Sequence, residues 1–402
     1  MKKGDTLNVP KGWEIKKLGE VLKLEYGKPL PDEKRIVGGN FPIYGANGLK
    51  GRSNVFYYDR KTIIVGRKGS AGEINLTEEK FWPLDVTYFA TFDEKKYDLL
   101  FLFHLLTLLN LPKLAKGVKP GINRNEVYNL NVSIPTLPEQ HRIVSILDEC
   151  FTAIDKAKTN AEQNLKNAKE LFESYLQGVF EKKGEGWEEK PLKELTTKIG
   201  SGATPRGGQE NYKDEGISLV RSMNVHDWEF REINLAFIDE KQAKELDGVI
   251  LQENDVLLNI TGASVARCCV FPKDYLPARV NQHVSIIRPK KEILDARFLN
   301  LLLTSKPYKD QLLFTGEQGA TRQAITKAQI ETFRISFPKL SEQQTIVRQL
   351  DALRVETQKL ESVYQKKIAD LEDLKKSVLQ RTLSGVEGKA FAGELTEKIV
   401  VA

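Results

Sequence analysis

Side chains able to read a base edge or hold a phosphate gather in glycine-punctuated stretches at two places in this sequence. In the first, Tyr44, Asn47 and Arg52 lie in and just after Pro42-Ile-Tyr-Gly-Ala-Asn-Gly48, and Arg67, Lys68 and Ser70 follow a β-type run. Lys119, Asn123 and Arg124 belong to or follow the basic, turn-rich Lys116-Gly-Val-Lys-Pro-Gly121. In the second, the corresponding groups are Thr204, Arg206, Arg221, Asn224, Thr261, Asn281, Gln282, His283 and Arg322. Base edges are read mostly by arginine at guanine and by side-chain amides at adenine, while lysines, arginines and loop hydroxyls hold phosphate oxygens. That chemistry recognises nucleic acid without making or breaking bonds. For any single residue an ordinary polar role on a surface or at a strand end is an equal alternative, and glycines 66, 69, 262 and 316 suit turns better than ligand contact.

Bond-making chemistry lacks its usual signatures. The chain has no phosphate loop of the form Gly-x-x-x-x-Gly-Lys-Ser/Thr, no Asn/Asp-Pro-Pro-Phe/Tyr pocket for an extruded adenine, and no Gly-x-Gly-x-x-Gly following a strand. Phe314-Thr-Gly-Glu-Gln-Gly319 resembles a methyl-donor loop with its glycines one residue too far apart, and Pro83-Leu-Asp85 with Asp93-Glu-Lys95 resembles a nuclease strand pair, a triplet common by chance in a chain with 29% charged residues. Cys150, Cys268 and Cys269 are too few for a disulfide framework, and the four histidines lie far apart, so no metal site is expected. The net charge of +6 is concentrated early: residues 1–136 hold 22 Lys+Arg against 15 Asp+Glu, whereas residues 184–338 hold 21 against 22. A polyanion partner at the first lobe fits that excess.

The elements that must position these groups repeat. With a constant offset of 203, Pro135, Leu137, Glu139-Gln140, Ile143-Val144 and Leu147-Asp148 match Pro338, Leu340, Glu342-Gln343, Ile346-Val347 and Leu350-Asp351. The register persists without a gap to Ser174-Tyr-Leu-Gln177 and Ser377-Val-Leu-Gln380, as a rigid helix requires. Apolar residues alternate at three and four, the seam of a coiled coil. One copy gives Ile143, Leu147, Ile154, Ala161, Leu171 and Tyr175; the other gives Ile346, Leu350, Leu360, Tyr364, Leu371 and Leu374. Pro138 suits a first helical turn, and Ser341 with Gln344 has the form of a capping box. Each helix should run about 65 Å at 1.5 Å per residue.

Around these helices the lobes repeat more loosely: Gly12-Trp-Glu-Ile-Lys-Lys-Leu18 resembles Gly186-Trp-Glu-Glu-Lys-Pro-Leu192, and Asn131-Val-Ser-Ile-Pro135 resembles Arg334-Ile-Ser-Phe-Pro338. The expected layout is therefore a lobe at 1–136, a spacer helix at 137–183, a second lobe at 184–338, and a second spacer helix with a tail at 339–402. The fold class is α+β, two mixed α/β lobes joined by an antiparallel coiled coil. Connectivity makes the second helix return along the first, with an approximate two-fold axis near Asn164 and Lys367. These polar seam residues either fix register or are simply tolerated in a long coil. Inverted, unequal lobes on a rigid spacer form a ruler for a two-fold object such as duplex DNA, each lobe reading its own half-site.

In this arrangement the chain resembles the specificity subunit of type I restriction-modification systems over essentially its whole length. The resemblance rests on the Pro-x-x-Pro/Ser-Glu-Gln-x-x-Ile-Val start of each long helix, and on Pro42-Ile-Tyr-Gly-Ala-Asn-Gly48 in lobe one. In lobe two it rests on Gly200-Ser-Gly-Ala-Thr-Pro205, Gly216-Ile-Ser-Leu-Val-Arg-Ser-Met-Asn224, Asp255-Val-Leu-Leu with Thr261-Gly262, and Val280-Asn-Gln-His283; Ala390-Phe-Ala-Gly-Glu-Leu395 also resembles the family's end. It implies a non-catalytic subunit with two target recognition domains, double-stranded DNA as ligand, and two docked modification subunits that in turn hold restriction subunits. S-adenosylmethionine, ATP and Mg are then expected on those partners and no cofactor on this chain. The apolar run Tyr97 to Leu114 is broken by His104, Asn110 and Pro112 and reads as a buried helix, so a cytoplasmic protein with no membrane segment is expected. Two other classes remain in view: a coiled-coil scaffold joining two protein-binding lobes, and a self-contained nuclease or methyltransferase, which needs the missing motifs.

Overall fold

The computed structural model describes residues 11–205, 208–317 and 324–384. The chain forms two compact units, one from Met1–Glu162 with Gln365–Ala402, the other from Gln163–Tyr364. Each unit therefore combines one lobe with part of both long helices, Leu137–Lys182 and Leu340–Leu383.

In unit one the strands are β1 (Glu14–Lys17), β2 (Leu22–Tyr26), β3 (Phe41–Gly45), β4 (Gly48–Ser53), β5 (Thr62–Gly66), β6 (Ile74–Thr77), β7 (Trp82–Pro83), β8 (Thr87–Phe92) and β9 (Asn131–Ile134). An antiparallel sheet runs β2-β8-β5-β6, a smaller sheet runs β4-β3-β7 with β3 and β7 parallel, and β1 pairs with β9. Every residue of β5 is buried, which explains why Thr62-Ile-Ile-Val-Gly66 lacks polar alternation. Over this sheet lies the helix Leu99–Leu109, capped by Asp98, which accepts from the Phe101 amide at 2.8 Å, and ended by Asn110 in the left-handed region at φ 51°. Its His104 is buried, and that desolvation pushes the imidazole pKa below its ordinary value.

Unit two continues with β10 (Glu188–Pro191), β11 (Thr196–Ser201), β12 (Ile217–Val220), β13 (Val225–His226), β14 (Glu229–Phe230), β15 (Ala236–Ile238), β16 (Val256–Asn259), β17 (Cys268–Val270), β18 (Ala278–Val280), β19 (Val284–Pro289) and β20 (Arg334–Phe337). Its sheets run β11-β19-β16-β17 and β15-β12-β18, the last pair parallel, and β10 pairs with β20. Strand for strand this is the plan of unit one. The main departure is the β13-β14 hairpin, which stands where unit one has only a tight turn between β3 and β4. Cys268 and Cys269 are buried in β17, and desolvation raises both thiol pKa values, that of Cys269 to about 12.

The repeated Glu-Gln at each helix start has a structural purpose. Gln140 is fully buried; its amide nitrogen donates to the carbonyls of Pro135 (2.9 Å) and Lys96 (3.1 Å), and its oxygen accepts from the Asp98 amide at 2.8 Å. Gln343 makes the same three bonds, to Pro338 (2.8 Å), Ile293 (2.9 Å) and Asp295 (2.9 Å). Asp98 and Asp295 are the N-caps of the buried lobe helices Leu99–Leu109 and Ala296–Thr304, so each glutamine locks a long helix onto its lobe. Replacing either by alanine strands buried backbone groups and should lower the unfolding free energy by about 2–4 kcal/mol in chemical denaturation. Gln163→Ala on an exposed helix face should change it by less than about 0.5 kcal/mol. Ser341 is not the cap of its helix, because the helix begins one residue earlier, at Leu340.

The long helices pack antiparallel. In unit one Lys375 reaches Asp155 and Lys158 reaches Glu372, both at 2.7 Å, so residue numbers fall on one helix as they rise on the other. Ile143, Leu147 and Ile154 join Leu371, Val378 and the sheet in a single core, with Ala161 also buried and Leu374 packed against it. In unit two Phe172, Leu176 and Phe180 share a core with Val347 and Leu350, with Ile346 against it, and Tyr364 is half-buried. Two residues expected in the seam are exposed, Leu171 at 48% and Leu360 at 41%, and Tyr175 is exposed as well. A straight helix turns every 3.6 residues and drifts about 20° per heptad from a strict 3.5-residue stripe. Past Ala161 the buried line moves to Phe172 and Phe180, whose rings meet Trp228 (5.2 Å) and Phe298 (5.5 Å) of lobe two edge to face. Among the described residues no helix is long and apolar enough to cross a membrane, and no group of three or more His, Cys, Asp or Glu could hold a metal ion.

Candidate nucleic-acid interface

The two lobes build one rim from the same three segments. In lobe one the Arg67 amide, just past β5, donates to the Val86 carbonyl before β8 (2.8 Å), while the Ile122 amide donates to the Arg67 carbonyl (3.1 Å) and Lys68 bridges Gly121. In lobe two the Ile260 amide, just past β16, donates to the His283 carbonyl before β19 (3.0 Å), the Ile325 amide donates to the Ile260 carbonyl (2.8 Å), and Thr261 bridges Ala324. After each third segment comes a short helix capped by a side chain, Asn123 in one case and Thr326 in the other. The scaffolds match while the side chains differ.

Lobe one's rim is aromatic and cationic. The guanidinium groups of Arg67 and Arg124 lie over the ring of Tyr26 at 5.4 and 5.0 Å, a cation–π arrangement on a tyrosine 47% exposed. Arg67 also donates twice to the Asp85 carbonyl (3.0 and 2.7 Å) and Arg124 to the Leu24 carbonyl (3.2 Å), contacts that orient each group, and among the described residues neither is paired with a carboxylate. Lys68 and Lys119 are exposed beside them, and the Gly69 amide ties the two loops together through the Pro120 carbonyl at 2.8 Å. Lys116 is different, being paired with Glu126 at 2.6 Å. A cavity of about 380 Å³ opens between Tyr26, Tyr88, Asn123 and Asn125. Burial, then the hydrogen bond to Tyr26, pushes the Tyr88 phenol up to about 12. Backbone packing brings the Ala46-Asn47 turn alongside: a Cβ on Gly66 would stand 2.6 Å from the Ala46 carbonyl oxygen and 2.1 Å from that of Ser70. Asn47 is exposed at the tip of the β3-β4 turn.

Among the described residues, lobe two's rim is rich in amide, hydroxyl and imidazole groups. Thr204, Gln282, His283 and Thr261 form one hydrogen-bonded chain: the Thr204 hydroxyl donates to the Gln282 carbonyl, the Gln282 amide meets His283 Nε2 at 3.1 Å, and His283 Nδ1 meets the Thr261 hydroxyl at 2.6 Å. Three loops far apart in sequence thus converge on one patch. Arg221 stacks over Tyr212 at 5.3 Å and donates to the Asn234 carbonyl.

A sequence profile described as Type I restriction modification DNA specificity domain matches residues 10–166 and 184–369. The chain belongs to that family. The MjaVIII specificity subunit of Methanocaldococcus jannaschii is 24% identical over 412 residues, covering 94% of both chains. The EcoBI specificity subunit of Escherichia coli is 23% identical, covering 97% of this chain and 84% of its own. The crystal structure of the HsdS subunit from Thermoanaerobacter tengcongensis shares the fold with a TM-score of 0.65, at 19% identity over 96% of this chain and 100% of that one.

Within this specificity-domain fold several sequence candidates prove to hold the scaffold instead. Asn224 is fully buried, donating to the Arg231 (2.8 Å) and Ile233 (3.3 Å) carbonyls and accepting from the Arg221 amide. Asn281 is buried and accepts from the His283 amide at 3.0 Å. Arg52 clamps the Gly39 and Asn40 carbonyls (2.6 and 2.7 Å), and Tyr44 packs edge to face on Phe81. The Asp85 carbonyl accepts from Arg67 and Asp93 pairs with Lys96 (3.3 Å), so the suspected nuclease triplets have backbone and ion-pair duties. Arg206 and Arg322 lie outside the described residues. Tyr26 is the member that sequence reasoning missed. Its signal was Tyr26-Gly27 at a strand end, where a Cβ on Gly27 would stand 2.0 Å from the Leu84 carbonyl.

Proposed function

We propose that this chain is the non-catalytic specificity subunit of a type I restriction-modification complex, reading a split, asymmetric double-stranded DNA target. Each lobe reads one half-site and the antiparallel helices set the gap. The observation that carries this reading is the repeated rim: one backbone frame in both lobes, with a cationic-aromatic surface in the first and, among the described residues, a hydroxyl, amide and imidazole surface in the second. Equal frames with unequal hydrogen-bonding groups suit two different half-sites. The long helices dock two modification subunits, through which restriction subunits join; S-adenosylmethionine, ATP and Mg serve those partners. Chemistry on the base requires it to leave the stack, a task for the partner's pocket.

The test is co-expression with the cognate modification subunit and genome-wide mapping of N6-methyladenine. Four residues inserted into either long helix add roughly 6 Å of rise. The mapped gap should change while both half-sites keep their bases. Altered half-sites with an unaltered gap would refute the division of labour.

A further inference from the structure

We infer that Gln282 reads an adenine in the half-site of lobe two, its amide tethered by Thr204 on one side and His283 on the other. The inference rests on the proposed function and adds a base and a residue to it.

A side-chain amide can turn over, exchanging its donor and acceptor ends, and recognition of adenine needs one orientation only: oxygen towards the N6 amino group, nitrogen towards N7. Here both ends are tethered, so the amide is held in place and the base edge selects its orientation. In the orientation the structure shows, the Thr204 hydroxyl donates to the Gln282 oxygen, and the Gln282 nitrogen stands 3.1 Å from His283 Nε2. An amide nitrogen has only hydrogens to offer, so in that orientation Nε2 accepts and Nδ1 faces the Thr261 hydroxyl at 2.6 Å as donor; turned over, the same network closes with Thr204 accepting and Nε2 donating. Each end of the amide keeps one unused site, a second lone pair on the oxygen and a second hydrogen on the nitrogen. Those are the two groups an adenine edge requires, on a side chain that is exposed.

The backbone beneath is equally fixed. Buried Asn281 accepts from the His283 amide (3.0 Å), the Gly202 amide donates to the Asn281 carbonyl (3.1 Å), and the Ile260 amide donates to the His283 carbonyl (3.0 Å). A Cβ on Gly202 would stand 1.7 Å from the Val280 carbonyl oxygen, so only glycine lets the Thr204 segment approach the Gln282 turn this closely. Thr204, Thr261 and His283 are thus positioning residues, half-buried, and Gln282 is the exposed member of the hydrogen-bonded chain. Because the amide is already tethered, little rotamer entropy is lost on binding.

The experiment uses the full chain co-expressed with its modification subunit. Wild type should methylate a split site in which one lobe-two position is adenine. Gln282→Ala should relax that position alone, lowering discrimination roughly ten-fold or more, and Gln282→Glu, an acceptor-only isostere, should shift it towards cytosine. Thr204→Val should relax the same position while Thr204→Ser retains it. In equilibrium binding, a duplex with 7-deazaadenine there should bind wild type more weakly and bind Gln282→Ala no more weakly than the adenine duplex does. A split site unchanged by Gln282→Ala, or relaxation at a position that is not adenine, overturns the assignment and leaves the function standing. A wild-type complex that selects no split site overturns both.

Discussion

Replacing residues 184–338 with the matching lobe of a relative will leave one half of the methylated sequence unchanged and rewrite the other. The expectation follows from where the rims are built. Thr204, Thr261, Gln282 and His283 bond to one another and to lobe-two backbone, and Tyr26, Arg67 and Arg124 do the same within lobe one. The graft must bring aromatic partners for Phe172 and Phe180, which the native lobe supplies as Trp228 and Phe298. Methylation mapping decides the matter: change in both halves would mean that the lobes do not read independently.

The second large effect concerns affinity. Substituting Arg67, Lys68, Lys119 and Arg124 together by glutamine should lower the salt slope of DNA binding, log K against log salt, by about three to four units, since each phosphate contact contributes about 0.9. At ~0.1 M salt that corresponds to weakening by about three to four orders of magnitude relative to a 1 M reference. Glutamine keeps part of each stem, so a melting curve near that of wild type should accompany the loss. Titrations at several salt concentrations provide the check, and an unchanged slope removes this rim from the phosphate path.

Much of the fold was legible because its determinants are periodic. The β-branched run Thr62-Ile-Ile-Val-Gly66 and its counterpart Val256-Leu-Leu-Asn259 are central strands, and the offset of 203 reflects a real structural repeat down to Gln140 and Gln343. The seam was legible near each helix start, where helix and lobe bury one face. It failed at Leu171 and Leu360 because extending a 3.5-residue stripe ignores helical drift and the pull of Trp228 on Phe172. The site was legible as groups and not as individuals. Asn224 and Gln282 are both amides in polar loops, yet one satisfies buried carbonyls and the other faces outward; that distinction depends on long-range packing. Tyr26 is absent from the sequence candidates because its partners are 41 and 98 residues away in the chain.

The glutamine locks also bear on how such a chain changes over generations. Each lobe is fastened to its long helix by the same few atoms: a glutamine amide, two backbone carbonyls and the amide of an aspartate cap. A crossover in the DNA encoding one repeated helix start, at the matching point of a related gene, therefore rejoins the reading frame at a junction whose hydrogen bonds close whichever lobe arrives. On the proposed function, a single exchange would then bring a new target preference while the long helices stay as they were.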